Sequence, residues 1–284
     1  MVDRTPLLPL SRIGEGLFGK VEFSHPSGSM KHRSIPCFLE SSLARGRVAK
    51  GQRVIIQSGG SAAVAAAWAG ARLQLGIDAV VSSSTGEEIL RLLRWLGARC
   101  HAVRSTETPR YVEALKAEGA FFLDQFREEG LIDHYRPVAE EILDAVAGVD
   151  AVVVGIGTGV SITGIGRAIK HRAPACLVVG VEPEEASVAA GKPWAPHRII
   201  GLAPPFAQPL LDRAVVDAIV PISSEAAWAR ARELAQREGL LAGPSSGAAV
   251  EAAVQLRRDR RASRIVAILG GGVVEHLAKS PSHQ

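Results

Sequence analysis

Short apolar runs rich in β-branched residues recur along the chain at 53–57 (RVIIQ), 78–82 (DAVVS), 100–103 (CHAV), 151–155 (AVVVG), 176–182 (CLVVGVE) and 265–269 (IVAIL). Most are continuous rather than alternating with polar residues, so they predict strands covered on both faces, as in parallel sheets. Helical spacing fills the intervals at 61–75, 86–96, 108–118, 134–147, 161–171, 224–238 and 246–258. Strand followed by helix, repeated, predicts an α/β fold with mainly parallel sheets. There are too many such units for one small sheet, and the alternation weakens at 127–137 (REEGLIDHYRP). Two α/β domains with a cleft between them are therefore expected. Residues 182–212 are rich in proline and show little period in their middle, which reads as a long ordered excursion near a site or an interface.

Composition narrows the class. With 284 residues and 47% hydrophobic content the chain can bury a large core. No apolar run approaches the roughly 18 to 20 residues of a membrane span, and MVDRTPLLPL lacks the layout of a secretory signal, so a cytoplasmic protein without a membrane partner is expected. Part of the net charge of +4 comes from RRDRRASR at 257–264. That run follows a helical stretch, where cations are stabilised by the helix dipole, and no aromatic residue interleaves it; a nucleic-acid partner is not expected. Cys37, Cys100 and Cys176 are odd in number and far apart, which argues against a disulfide framework and against a metal site.

The candidate chemistry lies in glycine- and hydroxyl-rich turns. After AVVVG comes IGTGVSITGIGRAIK, with Gly155, Gly157 and Gly159 beside Thr158, Ser161 and Thr163 at the start of a helix. A strand that turns through glycines into a helix N-terminus offers free amides and a positive dipole end to a phosphate. A dinucleotide would use Gly155, Gly157 and an acid such as Glu182, but Val160 occupies the third glycine position of that fingerprint. A compact terminal phosphate suits Thr158 and Ser161 at least as well, and a purely structural tight turn stays open. QSGGSAAVAAAWAG (57–70) repeats the device, with Ser58 and Ser61 able either to hold a carboxylate or to cap their own helix. GLLAGPSSGAAVEAA (239–253) adds Ser245 and Ser246 at another helix start, and PSGSMKHR (26–33) sets Lys31 in a fourth turn of this kind.

In order, RTPLLPLSRI, PSGSMKHR, QSGGSAAVAAA, GIGTGVSITGIGRAIK, PHRIIGLAPPFAQPLLD and GLLAGPSSGAAVEAA resemble the spaced motifs of the cysteine synthase and cystathionine β-synthase group. These are fold type II pyridoxal-phosphate enzymes, also described as tryptophan-synthase-β-like. The resemblance runs nearly end to end. It implies pyridoxal 5′-phosphate in the cleft between two three-layer α/β domains, with 31–139 the mobile, substrate-side domain and 1–30 with 140–284 the domain on the cofactor-phosphate side. Lys31 would be the Schiff-base lysine and would later move protons at the substrate α-carbon, which requires a neutral amine; burial lowers a lysine pKa in that direction. Gly157, Thr158, Gly159 and Ser161 would hold the cofactor phosphate, and Ser245 would face the pyridine nitrogen, with Ser246 the adjacent alternative. Gln57, Ser58, Gly59, Ser61 and Gln125 match residues that grip the amino-acid carboxylate.

A serine at the ring nitrogen does not enforce ring protonation as an aspartate would, which favours expulsion of a β-leaving group over prolonged carbanion chemistry. The implied reaction is β-replacement on an O-activated L-serine by sulfide or a related small nucleophile, in a homodimer by family habit. The pattern departs at three places. Gly60 stands where the family's asparagine contacts the cofactor's 3′-oxygen, Gln57 replaces the leading threonine, and Val160 replaces a glycine. SGSMKHR and SGGSAAV lean toward cysteine desulfhydrases, so a β-eliminating lyase is the alternative chemistry. A nicotinamide-dependent oxidoreductase and a non-catalytic binding partner are the readings from other classes.

Overall fold

The computed structural model describes residues 4–273. The ends of the two segments expected for the second domain, residues 1–3 and 274–284, lie outside that range. The strands are β1 (Leu7–Pro9), β2 (Leu17–Val21), β3 (Arg53–Gln57), β4 (Gly76–Ser82), β5 (Arg99–Val103), β6 (Phe121–Leu123), β7 (Ala151–Gly155), β8 (Leu177–Pro183), β9 (Ala218–Ile222) and β10 (Ile265–Leu269). The α-helices are α1 (Lys31–Ala44), α2 (Ser61–Leu73), α3 (Glu87–Trp95), α4 (Thr108–Ala117), α5 (Arg136–Ala145), α6 (Val160–Arg172), α7 (Ser224–Glu233) and α8 (Pro244–Arg258).

Two sheets form, with orders β1-β2-β10-β7-β8-β9 and β5-β4-β3-β6. Apart from the antiparallel β1–β2 pair, all their strand pairs are parallel. The expected α/β fold with mainly parallel sheets is thus the observed one. The continuous apolar runs have the predicted cause: Val152 and Val154 face one core, while Ala151 and Val153 face another formed with α7 and α8. Strand alternation supplies both faces from one run.

In the smaller sheet Val54 and Ile56 pack toward α1 and α2, whereas Ile55 and Val80 meet Val112 and Leu115 of α4. Alanines dominate α2 because it lies close on the sheet; a Cβ at Gly70 would stand 2.4 Å from Ile77 Cγ1. The core that contains Ile56 also contains Val154, so apolar packing is continuous between the two sheets through α1, α2, α5 and α6.

A buried charge cluster fastens the beginning of the chain to this core. Arg33 of α1 donates to Glu22 from Nε at 2.9 Å and to Glu141 of α5 from Nη1 at 2.7 Å. Lys20 of β2 donates to Thr5 O at 2.6 Å and pairs with Glu141, and Thr5 Oγ1 donates to Glu22 at 2.6 Å. Burial alone would raise the Glu22 carboxyl, but hydrogen bonds from His25, Arg33 and Thr5 and the Arg33 charge bring it down to about 2.

The weak alternation at 127–137 corresponds to two 3-10 turns, Glu129–Leu131 and Asp133–Tyr135, followed by α5. The 182–212 segment carries one 3-10 turn, Glu184–Ala186, and otherwise no helix or strand after Pro183. The basic run begins at the end of α8, where Arg257 and Arg264 donate to Ser263 O and Ala147 O.

Candidate active site

In parallel sheets ligands bind beyond the carboxyl ends of the strands. Here β3, β4, β6, β7 and β10 are followed by Ser58, Thr85, Gln125, Gly157 and Gly270, all of which line one cavity of about 720 Å³. Four helices also begin at this cavity. Lys31 is the first residue of α1, Ser61 of α2, and Thr158 and Ser161 flank the start of α6; Ser245 is the second residue of α8.

The residues before these four helices are Met30, Gly60, Gly159 and Gly243, and none makes a side-chain capping bond. Helix N-termini leave amides without intrahelical partners, and their dipoles attract negative charge. At α6 the first amide, Val160 N–H, reaches Thr158 Oγ1 only at 3.5 Å, so four helix starts at one cavity make a site for anions held by amides and hydroxyls. The alternative in which Ser58 or Ser61 caps α2 is not realised: Ser58 Oγ instead accepts from Gly60 N–H at 3.2 Å.

Lys31 is only partly exposed, and burial pushes its amine down to about 8. Its position is fixed through the preceding residue. Met30 N–H donates to Gly270 O at 2.8 Å, while Met30 O accepts from Tyr135 Oη at 3.1 Å. Ser34 Oγ donates to Tyr135 Oη at 3.2 Å, and burial raises the phenol pKa, so Tyr135 stays a neutral donor. Gly270 is small for a reason: a Cβ there would meet Met30 Sδ at 2.7 Å.

Glycines shape the loop before α6. Gly159 has φ +88° and a Cβ would lie 2.6 Å from Leu211 N; one on Gly157 would lie 2.4 Å from Gly201 O. The long 182–212 segment thus presses directly on this loop, and its residues Ile200, Gly201, Leu202 and Pro204 also line the cavity. Gly60 contrasts with them, because a Cβ there meets nothing within 4 Å.

Of the residues singled out from the sequence, Lys31, Ser58, Gly59, Gly60, Ser61, Gln125, Gly157, Thr158, Ser161 and Ser245 line the cavity together. Gly159 and Gln57 are not among the lining residues. Gly159 acts on the loop's shape, and Gln57 is exposed, with its carbonyl accepting from Gln125 Nε2 at 3.2 Å. Ser246 is buried and donates to Gly271 O at 2.9 Å, so Ser245 is the hydroxyl of this pair that lines the cavity. Glu182 is buried too and accepts from Ser187 Oγ, Ala189 N and Ala190 N, which removes it from any ribose.

Ser29, Ser82 and Thr85 line the cavity and were not anticipated. The hydroxyl-rich SSSTG after β4 was the available signal for two of them. Ser29 Oγ is buried without a hydrogen-bond partner.

Comparison with known proteins gives a consistent set of relatives. The family model described as pyridoxal-phosphate dependent enzyme matches residues 1–271. The chain is 31% identical to cystathionine beta-synthase of Rattus norvegicus, over 98% of this chain and 54% of that protein, so it spans about half the length of that curated relative. It is 27% identical to cysteine synthase of Staphylococcus aureus, over 91% of this chain and 87% of the relative. Among solved structures, O-ureido-L-serine synthase superposes with a TM-score of 0.92 at 29% identity, covering 96% of this chain and 90% of the other.

Proposed function

The chain belongs to the pyridoxal-phosphate dependent enzyme family, and from that premise we propose that it catalyses β-replacement on an O-activated L-serine, with sulfide or a related small nucleophile as second substrate. The observation that carries this reading is the meeting of four helix starts around one lysine. The cofactor brings a phosphate and the substrate a carboxylate, and the cavity offers amides and hydroxyls for both. Ser29 Oγ supports the fit of the cofactor, since a buried hydroxyl without a partner in a polar cavity is completed by a bound polar group.

Held in this cavity, pyridoxal phosphate would supply an electron sink for the substrate α-carbon and so make loss of a β-leaving group accessible. The chain's own residues then divide the work. Gly157, Thr158 and Ser161 at the start of α6 bind and orient the phosphate, in a loop whose bend Gly159 sets. Ser58, Gly59 and Ser61 at the start of α2, with Gln125, hold the substrate carboxylate, and the Gln57 carbonyl steadies Gln125. Lys31, whose amine burial brings down to about 8, takes and returns the proton at the substrate α-carbon. Ser245 presents a neutral hydroxyl to the ring nitrogen. Gly60 leaves open room where a larger residue would stand.

That open room favours one second reading, a lyase that releases pyruvate and ammonia from cysteine or serine. The reaction of cofactor-loaded protein with O-acetylserine separates the two: cysteine formed on adding sulfide supports replacement, and pyruvate formed without sulfide supports elimination. A Lys31→Ala protein that keeps its visible colour and turnover would overturn both. We further take the enzyme to be a cytoplasmic homodimer, with 31–139 as the domain that moves against 1–30 and 140–284. Among the described residues no helix is long and apolar enough to cross a membrane.

A further inference from the structure

The cavity's chemistry changes between its depth and its mouth. Among the described residues that line it, Lys31 is the single ionisable side chain; the others are glycines, hydroxyl-bearing residues, Gln125 and apolar groups. In the depth, helix starts and hydroxyls offset the missing cations. At the mouth none of the described lining residues does. Ile200 and Leu241 both line the cavity and are 46% and 56% exposed, which places them at its opening. Phe126, another lining residue, packs edge-to-face on Phe206 with centroids 4.8 Å apart, and Phe206 is 47% exposed. Arg127 and Arg198 are near in sequence but do not line the cavity.

We infer that, besides sulfide, the site takes a larger second substrate that enters uncharged and carries an apolar, aromatic body. The inference rests on the β-replacement reading and names its acceptor. A charged acceptor would shed water at the mouth with no ionisable side chain among the described lining residues there to pair with. An anionic one would also approach a site already holding a phosphate and a carboxylate, whose repulsion is felt strongly in a water-poor cavity. An aromatic body, in contrast, gains contact with Phe126, Ile200 and Leu241 and removes apolar surface from water. With a thiol as acceptor, the bond from the serine β-carbon to the acetate oxygen breaks and a bond from sulfur to that carbon forms. The thiol proton leaves with the acetate, so the products are acetic acid and an S-substituted cysteine, with no oxidation or reduction.

The test compares 4-(sulfanylmethyl)benzamide with 4-(sulfanylmethyl)benzoate, thiols of similar size and acidity that differ in charge, using O-acetylserine as donor and sulfide as control. The expected result is kcat/KM for the amide at least about ten-fold above that for the carboxylate. The unreactive methyl thioethers of the same pair, titrated calorimetrically into the cofactor-loaded protein, should differ in affinity in the same direction. Leu241→Arg, at an exposed position, should bring the two acceptors within about three-fold by giving the carboxylate a partner. If sulfide yields cysteine while the carboxylate acceptor matches or exceeds the amide, the inference falls and the β-replacement reading stands. If neither sulfide nor any thiol yields product, that reading falls and takes the inference with it. If Leu241→Arg changes the sedimentation coefficient and leaves the acceptor ratio untouched, a second copy of the chain covers this face and the inference is overturned.

Discussion

Lys31 must be buried enough to lose its proton near neutrality, and that has a measurable cost in stability. Its amine lies near 8 in the folded protein against 10.5 in the free side chain. Between those values the unfolded chain binds the proton more firmly, so the folded state gains stability as pH rises through this window, and below it the penalty is complete. The shift corresponds to at most ~3 kcal/mol, reduced by water in the cavity. Cofactor-free Lys31→Met should therefore be more stable than the parent at pH 7 in urea unfolding, with the gap closing between pH 8 and 10.5; a gap independent of pH contradicts this. Glycines at the site should separate into two kinds. Gly60→Asn meets open space and should leave the melting temperature within about 2 °C, whereas Gly157→Ala drives a Cβ into Gly201 O and should cost on the order of 2 kcal/mol or more. Thermal melts of the two variants check the contrast. Ser61, Thr158 and Ser161 were legible because they stand among glycines after a strand, in SGGS and GTGVS. Ser29 was not, since only its burial without a partner distinguishes it from other serines.

Among elements, the sequence pattern predicted the strands built on continuous apolar runs and passed over β2 and α1, whose local pattern is interrupted by buried charge. β7 and β10 stand out as AVVVG and IVAIL, and each is nearly or wholly buried. β2 and α1 did not, because Lys20 of LFGKV and His32 and Arg33 of KHRSIPCFLESSLA occupy buried positions. Their partners are remote in the chain, as Glu141 is from Arg33, and no local period records a charge paired across 108 residues. β9 was hidden for a different reason, being an edge strand with Pro221 and only Ile222 fully buried. The start of α1 depends on such a remote contact as well. Tyr135→Phe removes the donor to Met30 O and leaves that carbonyl and Ser34 without their shared partner, at ~1–3 kcal/mol. Because Met30 precedes Lys31, the same variant should shift the pH dependence of cofactor attachment, read as visible absorbance, while leaving the far-ultraviolet circular dichroism unchanged. An unaltered pH profile would limit Tyr135 to a structural role.

For the molecule as a whole, the cluster of Thr5, Lys20, Glu22, Arg33 and Glu141 makes stability depend on acid. Glu22 is held near 2 against an ordinary value of 4.5, so its contribution is complete above pH 4.5 and is lost as the pH falls toward 2. Urea unfolding between pH 5 and 3 should show a falling stability whose slope is flattened in Glu22→Gln, a variant that also leaves Arg33 with Glu141 as its remaining carboxylate and should lose about 3–5 kcal/mol at pH 7. A slope that Glu22→Gln does not alter would remove Glu22 from that account. The strand order of the larger sheet bears on how such a molecule is made. β2 lies between β1 and β10, so a strand begun at residue 17 waits for one that begins at residue 265. The smaller sheet needs only residues 53–123 and can assemble while the ribosome is still working. The first hairpin cannot; until the final strand leaves the exit tunnel, one long edge of β2 stays unpaired, and the nascent chain depends on its surroundings to keep that edge from other partners.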